Sequence, residues 1–93
     1  MPSQIKMLGF KIPIILDDKR DDVWGEWDGG LCTITINSKA SLDHKRVTLL
    51  HELIHGIDDF LGLNVPHKNV YALSHIIFVI LRENPDFAAW LID

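Results

Sequence analysis

Two hydrophobic periods divide the chain. Up to about residue 40 the apolar positions recur every second residue, and beyond it they recur every third or fourth. Phe10, Ile12, Ile14 and Leu16 alternate with Lys11, Pro13 and Ile15, which predicts a strand with one buried face. Pro13 has no N–H to give a neighbour, so this strand is expected at an edge or with a bulge. Asp17 to Asp22 are all charged and read as a solvated loop. Val23–Trp27 and Leu31–Asn37 flank Asp28-Gly29-Gly30, a hairpin signal because glycine accepts positive φ. In the second arm Cys32, Ile34 and Ile36 share one face, and Thr33 and Thr35 the other. The expectation is a three-stranded antiparallel sheet.

The longer period begins near Ser41, a suitable N-cap, with Asp43 in the first turn where it complements the helix dipole. Val47, Leu50, Ile54, Ile57 and Leu61 form the expected core stripe, and Gly62 ends the helix. Gly62 to Val65 is a short linker, and Pro66 suits the first turn of a second helix running to about Glu83. Val70, Leu73, Ile76, Ile77, Val79, Ile80 and Leu81 make that helix apolar on most sides, so it is expected at the buried centre. Asn84-Pro85 then caps and starts a short terminal helix through Trp90. The predicted class is α+β: a small sheet packed on a helical hairpin, with a short C-terminal helix.

At 93 residues the chain makes one domain, 1–93, near the lower end of what holds a core without staples. An apolar fraction of 47%, with three Trp and four Phe, makes burial sufficient by a small margin, and a bound metal would widen it. Cys32 is the single cysteine, which excludes an intramolecular disulfide and fits a reducing, cytoplasmic compartment. Residues 1–10 lack a signal-like apolar core, and the apolar run Ile76–Leu81 is too short for a bilayer, so no membrane partner is expected. A net charge of −4 argues against general nucleic-acid binding, which wants a basic face.

His51-Glu52-Leu53-Ile54-His55 carries the chemistry. Histidines four apart on a helix stand about 6 Å apart along its axis on nearly one face, so both can bind one ion. Glu52 lies roughly 100° further round, where it reaches a water without becoming a ligand. The cofactor this spacing predicts is Zn2+, with His51 and His55 as ligands and Glu52 as general base. The same letters also arise by chance, as a surface pair of histidines. The capped helix around them and small Gly56 beside them favour the metal.

Candidates for a third ligand are Asp58, Asp59, His67 and His75. The two aspartates lie about 10–12 Å along the axis from His51, too far for one tetrahedral site. A helical hairpin turning at Leu63-Asn64 sets His55 level with Ala72 and His51 level with Ile76, so His75 falls between them. His67 would be level with Phe60, and keeps a smaller share if the hairpin splays. Tyr71, one turn before His75, is a candidate donor to a developing oxyanion, although a rim tyrosine is the commoner explanation. His44 and Cys32 read as structural.

The stretch Thr48-Leu-Leu-His-Glu-Leu-Ile-His-Gly-Ile-Asp58 resembles the small phage-encoded zinc metallopeptidases, in the style of the SprT-like and ImmA/IrrE-like zincins. The likeness runs from about Trp24 to Trp90 and includes Thr35-Ile36-Asn37, Leu73-Ser74-His75 and Leu81-Arg82-Glu83-Asn84-Pro85. SprT-like proteins complete the zinc site with a downstream His, a role His75 matches. ImmA/IrrE-like members use a Glu, and this chain has none between Glu52 and Glu83. Many small phage relatives carry an acidic residue where His67 stands, so His67 is a substitute ligand if that residue ligates. The resemblance implies a minimal zincin fold and an intracellular role in phage or prophage life, such as cleaving a regulator.

Three functions compete. A zinc endopeptidase would take a protein or peptide substrate, with Leu31–Asn37 offering backbone pairing to an extended chain. A zinc-stabilised module would hold a protein in the same groove without cutting it, a reading favoured by the small size. A helical packing protein with incidental histidines is the third.

Overall fold

The computed structural model describes residues 1–19 and 21–93; Arg20, within the predicted charged loop, lies outside them. Four strands and three helices follow in order: β1 (Gln4–Met7), β2 (Phe10–Asp17), β3 (Gly25–Asp28), β4 (Thr33–Asn37), α1 (Leu42–Leu61), α2 (His67–Glu83) and α3 (Pro85–Ile92). The α+β class holds, but the sheet is four-stranded and mixed, in the order β1-β2-β4-β3, instead of three-stranded and antiparallel. β1 pairs antiparallel with β2, and β3 with β4, while β2 and β4 run parallel. Two features of the first 40 residues account for the difference.

The first is the added strand. Leu8 and Gly9 have φ of 51° and 85°, and two successive positive values make the tight two-residue turn that suits a twisted hairpin. A leucine in that turn hides it from composition, because apolar residues rarely take positive φ. The second is the path after β2, which passes to the far edge, forms β3, and returns as β4 between β3 and β2. β2 is therefore internal, and Pro13 sits where its partner changes: Gln4–Met7 pair with its first half and Ile34–Asn37 with its second. Ile14 N–H donates to Ser3 O, so alternation turns the Pro13 nitrogen towards β4, one residue before that pairing begins. No ladder bond is lost.

The β3–β4 turn also differs in detail from the expectation. Its positive φ falls on Cys32 (52°), not on Gly29 or Gly30, and Asp28 Oδ1 holds it by accepting from the Gly30 and Leu31 N–H groups.

Met7, Ile12, Ile14, Ile34 and Ile36 form the buried core, and Leu49, Leu53, Ile57 and Phe60 of α1 pack against it with Ile5 and Trp27. The working stripe of α1 is thus rotated from the one expected. Ile57 belongs to both, whereas Leu61 points to solvent. The caps are as read: Ser41 Oγ accepts from His44 N–H, and Gly62 closes the helix in the left-handed conformation.

The larger departure is α2. It is not the buried centre: only Val70 and Ser74 are buried, and Leu73, Ile76 and Ile80 are 42–51% exposed. Val70 and Ser74 share a face, and α1 is the main element against α2. The ion pair Arg82–Asp43 (2.7 Å) ties the end of α2 to the start of α1. Pro66 occupies the N-cap position and its carbonyl accepts from Asn69 and Val70, so the helix starts one residue later than expected. Asn84 precedes α3 without a side-chain cap, since its Nδ2 donates back to Ile80 O. Among the described residues no helix is long and apolar enough to cross a membrane.

Candidate metal centre and groove

His51 and His55 lie one turn apart on α1, half-buried, with their Nε2 atoms 3.1 Å from each other. Two nitrogens each about 2.0–2.1 Å from a tetrahedral ion stand roughly 3.3 Å apart, so this spacing suits shared ligation. The third imidazole is His67. One ring nitrogen from each of His51, His55 and His67 lies within 4.8 Å of the others, and the His67 ring centroid is 5.1 Å from both partners. Three neutral imidazoles are a set zinc accepts, with a fourth position left for water or substrate.

His75 does not join them. Its Nδ1 lies 3.0 Å from the Tyr71 carbonyl, one turn back on α2, and its ring sits over the Tyr71 ring at 4.2 Å. The linker explains why His67 is present and His75 is further away. Leu63 N–H donates to Asp58 O, and Val65 N–H donates to Asp58 Oδ1 (3.2 Å), so the chain doubles back along α1 before α2 begins. The start of α2 then comes level with His55, not with Phe60 as simple hairpin counting has it. Asn64, with φ of 58°, supplies the bend. Asp58 is thus a brace for the linker. Asp59 accepts from Trp27 Nε1 (3.1 Å) and holds β3 onto the helix.

Burial tunes the donors towards their neutral forms. The His51 pKa is lowered from 6.5 to about 4, first by burial and then by neighbouring His55, His67 and His75. His55 is lowered for the same first reason, with His67 adding to it and Asp58 opposing. Neutral imidazole is the ligating form, so each shift keeps a lone pair available at mildly acid pH.

Glu52 is buried at 7% exposure beneath β3. A Cβ on Gly25 would stand 3.2 Å from its Cγ and Oε2, and only 2.5 Å from Thr48 Cγ2, so the absent side chain lets the strand close over it. Gly56 does the same for Trp27, whose ring would lie 3.1–3.3 Å from an added Cβ. Burial raises the Glu52 pKa from 4.5 to about 7; the Glu26 charge adds to the rise, and a hydrogen bond with the Trp27 backbone opposes it.

One groove is lined by most of these groups, though not by His55. His51, Glu52, His67, Tyr71 and His75 line one part of it, and Val23, Trp24, Gly25, His44, Val47 and Thr48 the rest, around a cavity of about 460 Å3. Tyr71 is 6.3 Å from His51 between ring centroids and 57% exposed. His44, read as structural, is a groove residue whose ring lies tilted against Trp24, with centroids 4.4 Å apart. Cys32 stays in the β3–β4 turn, with Sγ 3.7 Å from Gly29 O. Trp24 was the feature missed: it reads as core material, and only its open position beside α1 marks it out.

No protein-family profile, curated protein or solved structure matches the chain.

Proposed function

We propose that the protein is a zinc-dependent peptidase of the HExxH type, with His51, His55 and His67 holding the metal and Glu52 serving as general base. The observation that carries this reading is the convergence of three ring nitrogens beside a buried carboxylate whose pKa is raised to about 7. A structural zinc site needs no buried acid beside it, whereas a hydrolytic one does.

Zinc bound there would supply Lewis acidity, making water nucleophilic near neutral pH and polarising a substrate carbonyl. The Glu52 carboxylate accepts the proton released by the attacking water and returns it to the departing amide nitrogen. A base with a pKa close to the working pH performs both transfers with little waste. Tyr71 lines the same groove and is accessible, so its hydroxyl is our candidate donor to the carbonyl oxygen. His75, against the Tyr71 ring, limits the rotamers open to it.

The substrate reading is an extended peptide. β3 is an edge strand and borders the groove through Gly25, so it takes the pairing role that the sequence assigned to Leu31–Asn37. β4 has both neighbours filled.

The test is metal analysis followed by digestion of unfolded casein. Wild-type chain is expected to bind one zinc and cleave, and Glu52→Gln to keep the zinc while losing at least ~10²-fold in rate. Cleavage persisting in Glu52→Gln would refute the mechanism. Stoichiometric zinc without any cleavage by wild type would support a silent binding module instead. The phage or prophage setting is proposed on sequence resemblance alone.

A further inference from the structure

The groove extends beyond the groups hydrolysis needs. Away from the histidine triad it is lined by Val23 and Trp24, just before β3, and by His44 and Val47 of α1. None of these four ligates the triad or touches Glu52 in the mechanism above, yet they are built as a firm surface. Asn37, 5% exposed at the end of β4, donates its backbone N–H to Trp24 O (2.8 Å) and its Nδ2 to Val23 O (3.2 Å). The wall is therefore braced from beneath by the sheet. Trp24 leans on the His44 ring and still leaves 51% of its surface open, and Val23 leaves 37%.

The lining also excludes ligand classes. Among the described residues it contains no Lys or Arg to hold a phosphate or acidic side chain, and its single carboxylate is buried Glu52. What remains is a concave apolar and aromatic surface, and such a surface gains most from an apolar group of similar size. Aromatic guests gain further from ring contacts with the indole and imidazole. The cavity of about 460 Å3 leaves room for a large side chain together with the backbone that carries it past the metal centre.

We infer that Val23, Trp24, His44 and Val47 form a side-chain pocket that selects a bulky apolar, preferentially aromatic, residue adjacent to the cleaved bond. The inference rests on the peptidase reading for its purpose, but the pocket's binding preference does not depend on cleavage. Two readouts separate the two.

The first is binding. Titration of N-acetyl-phenylalanine amide into the chain, with and without zinc, should shift the Trp24 indole N–H and Val47 methyl NMR signals, and N-acetylglycine amide should bind at least about tenfold more weakly. In Trp24→Ala that preference should fall below about threefold, with Val47→Trp, which fills the pocket, as the second variant. Thermal melts of both variants establish that they are folded; Trp24 is half exposed, so its removal leaves the core intact. Should one variant fail to fold, the other decides. Equal affinity for the two amides, or a preference unchanged in the folded variant, overturns the pocket whatever the enzymology shows.

The second is cleavage mapping by mass spectrometry of casein fragments. Sites next to Phe, Tyr, Trp, Leu or Met should dominate in wild type, and Trp24→Ala should flatten the distribution. Cleavage without such preference overturns the pocket and leaves the peptidase reading standing. Absence of cleavage together with Trp24-dependent binding of the phenylalanine amide does the reverse.

Discussion

α1 and α2 lie side by side and are both rich in apolar residues, yet they are covered very differently. Leu49, Leu53, Ile57 and Phe60 of α1 pack on the sheet, while α1 also meets α2. α2 has α1 as its main support and buries only Val70 and Ser74, leaving Leu73, Ile76, Ile77 and Ile80 open. Those four follow the i, i+3, i+4, i+7 spacing of a packed helix face, so the pattern predicts burial that the fold does not provide. The difference teaches where the proposed metal centre can be precise. His51 and His55 stand on the element held from two sides, and α2 contributes through His67 in its first turn, where the Asp58 brace fixes it.

The strongest test of this contrast is metal affinity. His51→Ala or His55→Ala should abolish stoichiometric zinc, a loss of more than ~10³-fold, and His67→Ala should follow closely. His75→Ala should leave zinc affinity within about tenfold of wild type, as expected of a group outside the ligand set. Competition against a chromophoric chelator measures all four, and a loss in His75→Ala as large as that in His67→Ala would reverse the assignment.

Stability should divide the helices next. Leu53→Ala removes a side chain packed on the core and is expected to cost about 2–3 kcal/mol, whereas Ile76→Ala, half exposed, should cost less than about 1 kcal/mol. Urea melts of the metal-free chain compare them directly. Equal losses would mean that α2 is covered in solution by something beyond the single chain.

The buried Glu52 carboxyl gives a pH signature of smaller size. Folding raises the Glu52 pKa from 4.5 to about 7, so its contribution is fully present below pH 4.5 and is lost as pH rises through 7. In metal-free protein Glu52→Gln should therefore be more stable than wild type at pH 8, by roughly 1–3 kcal/mol, and nearly equal to it at pH 4. His51 acts in the opposite sense. Its pKa is lowered from 6.5 to about 4, so stability from that residue is present above pH 6.5 and lost as pH falls through 4. Thermal melts of both chains across this range isolate the Glu52 part as their difference.

The smallest expected effect concerns the brace. Asp58→Ala deletes the acceptor for Val65 N–H and should cost about 0.5–1.5 kcal/mol. It should also weaken zinc about 10-fold or more by freeing the start of α2. Loss of stability with no change in zinc affinity would show that the linker path does not position His67.

Local rules written in neighbouring residues settled a good deal of this protein. Ser41 and Gly62 delimit α1, the His51-Glu52-His55 spacing puts two imidazoles together, and the alternation of Ile12, Ile14, Ile34 and Ile36 marks the buried sheet face. Each depends on a helical turn, a cap or a pleat, all short-range geometry. The rest required contacts between distant segments. Which strands pair, and in which direction, is unstated by alternation, because β2 carries the same pattern whether its neighbour is β4 or solvent. The third imidazole depends on Asp58 folding the linker back, which moves His67 into reach and leaves His75 against Tyr71. Sequence thus named the first two imidazoles and the carboxylate of the proposed site, and tertiary structure alone brought in the third imidazole, because levels between two helices are set by the path of the chain that joins them.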